Sequence, residues 1–100
     1  MSATRVLFTA AAQADLDEAL NWYEAHAPEI VPGFHEALRA TVERIGKNPK
    51  QFSPGRHETR RALLRKFPYL IIFREVRQTI YIVGVFHTSR DPIVWERRTR

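Results

Sequence analysis

The sequence predicts an α+β protein, a two-layer sandwich in which a hairpin of two helices packs on a mostly antiparallel sheet. The predicted order is β-α-α-β-β-β with a short helical tail. Apolar residues recur at helical spacing through the first half of the chain, and three strand-like runs separated by short turns occupy the second half. A chain of 100 residues is long enough to bury one core between two layers, so residues 1–100 are interpreted as a single domain.

The first half begins with a short strand, Arg5–Phe8, followed by Thr9 at a position suited to cap a helix. The helix is predicted to end near Ala27, because Pro28 cannot continue it without losing a backbone hydrogen bond. Its apolar face repeats at helical spacing and comprises Ala12, Leu16, Ala19, Leu20 and Tyr23, widened by Trp22.

A second helix is predicted from between residues 29 and 33 to about Lys47, with a stop signal at Asn48-Pro49. The positions that follow its 3.6-residue period are Phe34, Leu38, Thr41 or Val42, and Ile45. The two helices form a hairpin, and Trp22, Tyr23 and Phe34 are interpreted as core residues.

Residues 50–58 are predicted to form a loop, followed by three strands at about 60–66, 69–75 and 79–87. The connections are short enough for hairpins. The last strand is apolar on both faces, which predicts a central place in the sheet. Beyond it, Asp91 is predicted to cap a terminal turn that begins at Pro92, and Trp95 is spaced to fold back onto the sheet.

The net charge of +5 is unevenly distributed. Residues 1–50 carry five basic and seven acidic side chains, whereas residues 51–100 carry eleven basic and four acidic ones, a net charge of +7. Ten of those eleven are arginines, whose planar guanidinium suits phosphates and carboxylates. An acidic protein or a nucleic acid fits this half as a partner, and a solvated basic face without a partner is the simpler alternative.

The composition also disfavours several kinds of site. There is no cysteine, so disulfides and thiolate metal sites are excluded. The histidines His26, His35, His57 and His87 are scattered, and no Gly-rich loop follows a strand, so we expect neither a metal nor another cofactor. No apolar run approaches the length of a membrane helix, which leaves a soluble, cytoplasmic protein as the expectation.

The order of elements and a series of short motifs resemble the ParE/RelE superfamily, the small toxins of bacterial type II toxin–antitoxin modules, known also as plasmid stabilisation proteins. The resemblance spans nearly the whole chain. The motifs are Asp15-Leu16, Trp22-Tyr23-Glu24, Phe34 with Ala37-Leu38, Asn48-Pro49, Phe52, Arg61 with Leu63-Leu64, Phe67-Pro68-Tyr69, His87 with Arg90-Asp91-Pro92, and Trp95.

The resemblance implies a cognate antitoxin that neutralises the toxin, and growth arrest by one of two routes. ParE-like members poison DNA gyrase, and RelE-like members cut messenger RNA in the ribosome without a metal. For the nuclease route, His87 is the candidate acid or base, and Arg61, Arg65 and Arg90 are candidates to stabilise the developing phosphorane charge.

Two departures favour the ParE side. RNA-cutting members usually carry an arginine early in the second strand of the hairpin, where this chain has Tyr69 or Leu70. Their basic, aromatic ending is replaced here by residues 88–92, Thr-Ser-Arg-Asp-Pro. The resemblance therefore implies a ParE-like toxin that binds DNA gyrase rather than an enzyme. A ribosome-dependent endoribonuclease and a general nucleic-acid-binding domain without toxicity remain as alternatives.

The candidate surface for the target or the antitoxin is an arginine-rich surface of the sheet, on which a negatively charged polypeptide is expected to bind. Alternation along the strand predicts Arg61 and Arg65 on one face and Arg60 on the other. The residues assigned to the surface are Arg60, Arg61, Arg65, His87, Arg90, Asp91 and Trp95. Structural alternatives stay open: the arginines of an edge strand deter aggregation, His87 makes a structural hydrogen bond, and Arg90 pairs with Asp91.

Overall fold

A computed structural model describes residues 5–89. Two helices and five strands make up this part of the chain, together with 3-10 turns at Pro28–Ile30 and Pro49–Gln51. In chain order the elements are β1 (Arg5–Phe8), α1 (Ala10–His26), α2 (Val31–Lys47), β2 (Ser53–Pro54), β3 (Arg60–Leu63), β4 (Tyr69–Val76) and β5 (Thr79–His87).

The five strands form one sheet in the order β1-β5-β4-β3-β2. Strand β1 pairs with β5 in parallel, and every other pair is antiparallel. The central place predicted for β5 is confirmed, because β5 lies between β1 and β4. The predicted α+β sandwich is confirmed as well, since the helical hairpin packs on this mostly antiparallel sheet.

The predicted ends of α1 and α2 are also confirmed. The Thr9 hydroxyl caps α1 by accepting a hydrogen bond from the Ala12 backbone N–H at 3.1 Å. Pro28 follows the C-cap of α1, and Asn48 is the C-cap of α2. Residues Pro28–Ile30 form a 3-10 turn between the helices, so the hairpin connection is tight.

The core lies between the hairpin and one face of the sheet. From the helices it receives Ala12, Leu16, Ala19, Tyr23, Phe34 and Ile45, all of them buried. From the sheet it receives Ala62, Tyr69, Ile71, Phe73, Ile80, Ile82 and Val85, with Leu64 beside them. An aromatic cluster of Tyr23, Phe34, Phe67 and Tyr69 joins the two layers, with ring centroids 5.2–6.3 Å apart.

Two boundaries differ from the prediction. The first strand of the hairpin ends at Leu63 rather than at residue 66, because the chain turns there and Lys66 takes a left-handed backbone conformation with φ 67°. The predicted loop at 50–58 overlaps the 3-10 turn Pro49–Gln51 and contains strand β2, which pairs with Arg60 and Arg61. Strand β2 is only two residues long, too short for an alternation signal in the sequence.

One core assignment was wrong. Tyr23 and Phe34 are buried as predicted, but Trp22 is 51% exposed. Trp22 lies one helical step, about 100°, from the buried Tyr23 and therefore falls outside the buried stripe of α1. Among residues 5–89, neither helix is long and apolar enough to cross a membrane.

Candidate functional site

The turn between β3 and β4 separates two concave surfaces of the molecule. Its shape is held by hydrogen bonds from the Phe67 N–H to the Leu64 carbonyl at 3.3 Å and from the Leu64 N–H to the Tyr69 carbonyl at 2.9 Å. Phe67 lines the concave surface on the α2 side, and Pro68 lines the one on the α1 side. The two surfaces therefore share this turn as a common wall.

The surface on the α1 side, here called the aromatic cleft, has a volume of about 490 Å³. Its lining residues are Trp22, Tyr23, Pro68, Tyr69, His87 and Ser89. The indole of Trp22 stacks on the His26 imidazole, with ring centroids 4.3 Å apart and 14° between the planes. His26 is itself tied to the helix, since its Nδ1 lies 2.8 Å from the Trp22 carbonyl oxygen. The stack therefore orients a large apolar ring that is half-exposed to solvent. Aromatic residues of this kind are enriched among the residues that contribute most to protein binding.

His87 stands at the end of β5, opposite Tyr69 of β4. Its ring makes an edge contact with the Tyr69 ring, with centroids 5.2 Å apart. Its Nδ1 accepts a hydrogen bond from the Ser89 backbone N–H at 3.2 Å and lies 2.8 Å from the Ser89 hydroxyl. An Nδ1 that accepts from a backbone N–H carries no proton, so the neutral imidazole holds its proton on Nε2.

Tyr23 forms the inner wall of the cleft and is 8% exposed. Burial raises the pKa of its phenol above the usual value, because the apolar surroundings disfavour the phenolate. The aromatic cleft therefore has a neutral, apolar inner wall. His87 and Ser89 add polar side chains to its lining.

The surface on the α2 side, here called the basic groove, has a volume of about 570 Å³. Helix α2 contributes Gly33, Glu36, Ala37, Ala40, Thr41 and Arg44. The turn between β3 and β4 contributes Arg65, Lys66 and Phe67. Small side chains thus line the helical wall, and three cations stand around the groove.

Glu36 contributes a carboxylate to the groove, and this carboxylate is held by a cation outside the groove. Arg39 donates hydrogen bonds to both oxygens of Glu36, at 3.0 and 2.6 Å. The hydrogen bonds and the positive charge of Arg39 hold the pKa of Glu36 below its usual value. Glu36 is therefore ionised at neutral pH, with its charge directed to Arg39 rather than to the groove cations.

The predicted common face for Arg61 and Arg65 is wrong. Arg60 is half-buried and donates a hydrogen bond to the Phe52 carbonyl at 2.7 Å, so it tethers the preceding loop. Arg61 pairs with Ile72 on the sheet face away from the helices. Arg65 lies in the turn and lines the basic groove. The strand ends before Arg65, so the alternation that places Arg61 and Arg65 together does not apply.

The described residues that were proposed for nuclease chemistry therefore lie on separate surfaces. His87 lines the aromatic cleft, Arg65 lines the basic groove, and Arg61 stands on the outer face of the sheet. Arg90, Asp91 and Trp95 lie outside the described residues. Within residues 5–89, no three His, Asp or Glu side chains converge in a way that would hold a metal ion.

Sequence reasoning missed Trp22, Arg44 and Lys66 as site residues. A signal for Trp22 was present: the residues four positions before and after it, Glu18 and His26, are both polar, as on a solvent-facing part of a helix. No comparable signal existed for Arg44 and Lys66. They are 22 positions apart in the sequence and meet only because α2 packs beside the turn.

The architecture defines the class of protein first. A helical hairpin on a five-stranded sheet is also the fold of a solved structure titled "Chromosomal ParDE TA system from P. aeruginosa". The two superpose with a TM-score of 0.72 at 22% identity, over 86% of this chain and 97% of that one. The chain therefore shares the fold of that structure.

The sequence comparison then identifies the family. Residues 6–92 match the family described as "ParE toxin of type II toxin-antitoxin system, parDE". Toxin ParE2 of Mycobacterium tuberculosis, from strains CDC 1551 and H37Rv, is 30% identical over 79 residues, which cover 78% of this chain and 75% of the relative. The chain belongs to the ParE toxin family, and the resemblance to the ParE side of the superfamily is confirmed.

Proposed function

We propose that this ParE-type toxin acts in the cytoplasm by binding a cellular protein, DNA gyrase, and that a cognate antitoxin neutralises it by binding in turn. The observation that carries the choice of binding over catalysis is the separation of His87 from Arg61 and Arg65. A phosphoryl transfer site needs its proton-transfer group and its cations around one phosphate. These three side chains lie on three different surfaces.

The aromatic cleft is the surface best suited to a protein target. Tryptophan and tyrosine dominate the energetics of protein interfaces, because they bury large apolar areas with few rotatable bonds. Trp22 is half-exposed but oriented by its stack on His26, so little ordering is needed when a partner binds. Trp22 is therefore assigned as the principal contact of this toxin with its target.

Ribosome-dependent cleavage of messenger RNA is the second candidate. One observation favours it: His87 lines an open cleft, where a substrate can reach it. Aromatic rings can also stack on unpaired bases, as in many single-stranded RNA sites. The cleft lining nevertheless contains no arginine or lysine among the described residues, and a pentavalent phosphorane needs that charge.

Brief induction in cells, followed by transcript mapping, separates the two candidates. A gyrase poison is expected to arrest growth with intact transcripts, and the purified chain is expected to inhibit supercoiling by gyrase or to stabilise cleaved DNA. Trp22→Ala is expected to lose both effects, whereas His87→Ala retains at least part of them. Cut transcripts that disappear in His87→Ala would overturn the proposal in favour of the nuclease.

Neutralisation is tested by co-expressing the chain with the protein encoded by the neighbouring reading frame. A stable complex that restores growth is the expected result. A purified chain that binds any DNA duplex with strong salt dependence, without growth arrest, would instead support a general nucleic-acid-binding domain.

A further inference from the structure

The rings that line the aromatic cleft stand at steep angles to one another. The planes of Trp22 and Tyr23 make an angle of 87°, and those of Tyr23 and Tyr69 one of 57°. The His87 ring stands at 82° to that of Tyr69, and the centroids of these pairs are 5.2–6.3 Å apart. Rings at such angles do not form a closed stack, so they surround a space. Several aromatic rings around one space make a site that attracts organic cations, because the face of each ring is electron-rich.

The lining of the cleft contains no group that would repel a cation. Among residues 5–89, no arginine or lysine lines it. The hydroxyl oxygens of Tyr23 and Ser89 belong to the lining, and such oxygens accept hydrogen bonds from the N–H groups of a cation. The cleft therefore combines electron-rich rings with hydrogen-bond acceptors.

Helix α1, which provides Trp22 and Tyr23, is strongly acidic. It contains no lysine or arginine, and its carboxylates are those of Asp15, Asp17, Glu18 and Glu24. Glu18 precedes Trp22 by four residues, so the two side chains occupy the same side of the helix on neighbouring turns. The electrostatic potential beside the cleft therefore favours a positively charged partner and disfavours phosphates.

Arginine is the cationic side chain that suits this cleft best. Its guanidinium is planar and stacks on aromatic rings, and it is more weakly hydrated than the ammonium of lysine. Arginine is accordingly the more frequent partner of aromatic rings in proteins. The cleft volume of about 490 Å³ lies within the range of ligand pockets, so it has room for an arginine side chain together with part of the segment that carries it.

We infer that the aromatic cleft binds an arginine side chain of the target protein. This inference rests on the proposed function, which assigns the cleft to the target, and it adds the chemistry of the segment that the toxin recognises. A nucleic acid is disfavoured as the occupant, because its phosphates would lie beside the carboxylates of α1 without a cation in the described lining.

The test titrates the purified, isotope-labelled chain with a blocked pentapeptide that carries a central arginine between glycines, and follows the indole N–H resonance of Trp22 by NMR. The comparison peptide carries citrulline in place of arginine, which keeps the shape of the side chain but removes its charge. Trp22→Phe assigns the resonance, because it removes it. The arginine peptide is expected to shift this resonance and to bind about two- to thirtyfold more tightly than the citrulline peptide, the range of one cation–π contact.

Two variants connect the cleft with gyrase. Trp22→Leu keeps an apolar side chain but removes the aromatic face, and Glu18→Gln removes a negative charge one turn away. Both are expected to raise the toxin concentration that half-inhibits supercoiling, by about threefold or more. The control, Glu75→Gln, removes a carboxylate roughly 20 Å along β4 from Tyr69, and it is expected to stay within about twofold of the wild type.

The outcomes separate the two proposals. Equal binding of the arginine and citrulline peptides, with supercoiling still inhibited by the wild-type chain, overturns the arginine assignment and leaves the proposed function standing. A wild-type chain that neither inhibits gyrase nor arrests growth overturns the proposed function, and the peptide titration then decides the arginine site by itself. A single-stranded RNA oligonucleotide that shifts the Trp22 resonance, where the arginine peptide does not, also overturns the inference in favour of base stacking.

Discussion

The carboxylate of Asp15 in α1 accepts a hydrogen bond from the backbone N–H of Val85 in β5, at 3.1 Å. Strand β1 pairs with β5 only as far as Ile82, and the Thr9 N–H then donates to the Ile82 carbonyl. Beyond that point, no strand within residues 5–89 pairs with this side of β5. The Asp15 carboxylate provides the acceptor that a neighbouring strand would otherwise offer to the Val85 N–H. This hydrogen bond attaches the first turns of α1 to β5.

This hydrogen bond yields the first prediction. Asp15→Ala removes the acceptor and leaves a part-buried N–H without its partner, which costs about 1–3 kcal/mol of unfolding free energy. Asp15→Asn keeps an acceptor oxygen and is expected to lose less than Asp15→Ala. Chemical denaturation of both variants measures the difference. Equal stability of Asp15→Ala and the wild type would show that the bond contributes nothing.

A second prediction concerns Gly84, over which the ring of Phe86 lies on the outer face of the sheet. A Cβ at residue 84 would clash with the Cε2 and Cζ atoms of the Phe86 ring. Gly84→Ala is therefore expected to destabilise the fold by about 1–3 kcal/mol, through displacement of a ring that is otherwise 8% exposed.

The matched control for Gly84 is Gly33→Ala, whose added Cβ makes only an ordinary contact with Phe67. That variant is expected to be neutral or stabilised by up to about 1 kcal/mol, since alanine favours helix. A combined Gly84→Ala and Phe86→Leu variant should recover part of the loss. If Gly84→Ala and Gly33→Ala behave alike in thermal denaturation, the account of Gly84 is wrong.

The third prediction concerns Trp22 of α1, which is expected to contact the target rather than to hold the fold. Trp22→Ala is expected to abolish growth arrest while changing the melting temperature little, because the indole is half-exposed. Trp22→Phe keeps a ring that can stack on His26 and should retain part of the toxicity. Viable-cell counts after induction and thermal denaturation are the two measurements. A strong loss of stability in Trp22→Ala would mean that Trp22 is structural.

The fourth prediction is a pH dependence of stability that arises from Tyr23. Burial raises the pKa of its phenol, so the folded chain holds this proton more tightly than the unfolded chain does. The contribution is fully present below the unfolded pKa of about 10 and is lost as pH rises through the folded pKa.

The comparison variant is Tyr23→Phe, which keeps the ring among Phe34 and Phe67 but has no ionisable group. Denaturation at a series of alkaline pH values is expected to show a steeper decline for the wild type than for this variant. Parallel curves would mean that the phenol ionises as readily in the folded chain as in the unfolded one.

Most of the fold was predictable because its signals are local. The cap at Thr9, the stop at Pro28 and the apolar period of α2 each depend on residues within a few turns of one another. The apolar composition of β5 indicates burial on both faces and therefore an interior strand, and the sheet order confirms this position. The two-residue strand β2 was missed because it has no pattern of its own and exists only by pairing with β3.

The site was predictable only in part. His87 was correctly expected at the end of a strand, and it lines an open cleft there. Arg61 and Arg65 were expected on one face, but the chain turns between them, after Leu63. A shift of a few residues in a strand end has little effect on a fold prediction, yet it moved Arg65 to a different surface of the molecule.

The amino-acid order alone establishes the two-layer architecture, the superfamily and the excess of arginine in the second half, because periodicity, caps and composition are properties of neighbouring residues. Which cations share a surface depends on contacts between distant segments, such as α2 with the turn that contains Lys66. In the folded chain, Arg60 tethers a loop and Arg61 lies on the outer face of the sheet. Other basic side chains, those of Arg44, Arg65 and Lys66, line the basic groove, and Trp22 is exposed. Periodicity indicates only which face of its own element a charged residue occupies, so the packing of the elements decides which of these groups meet.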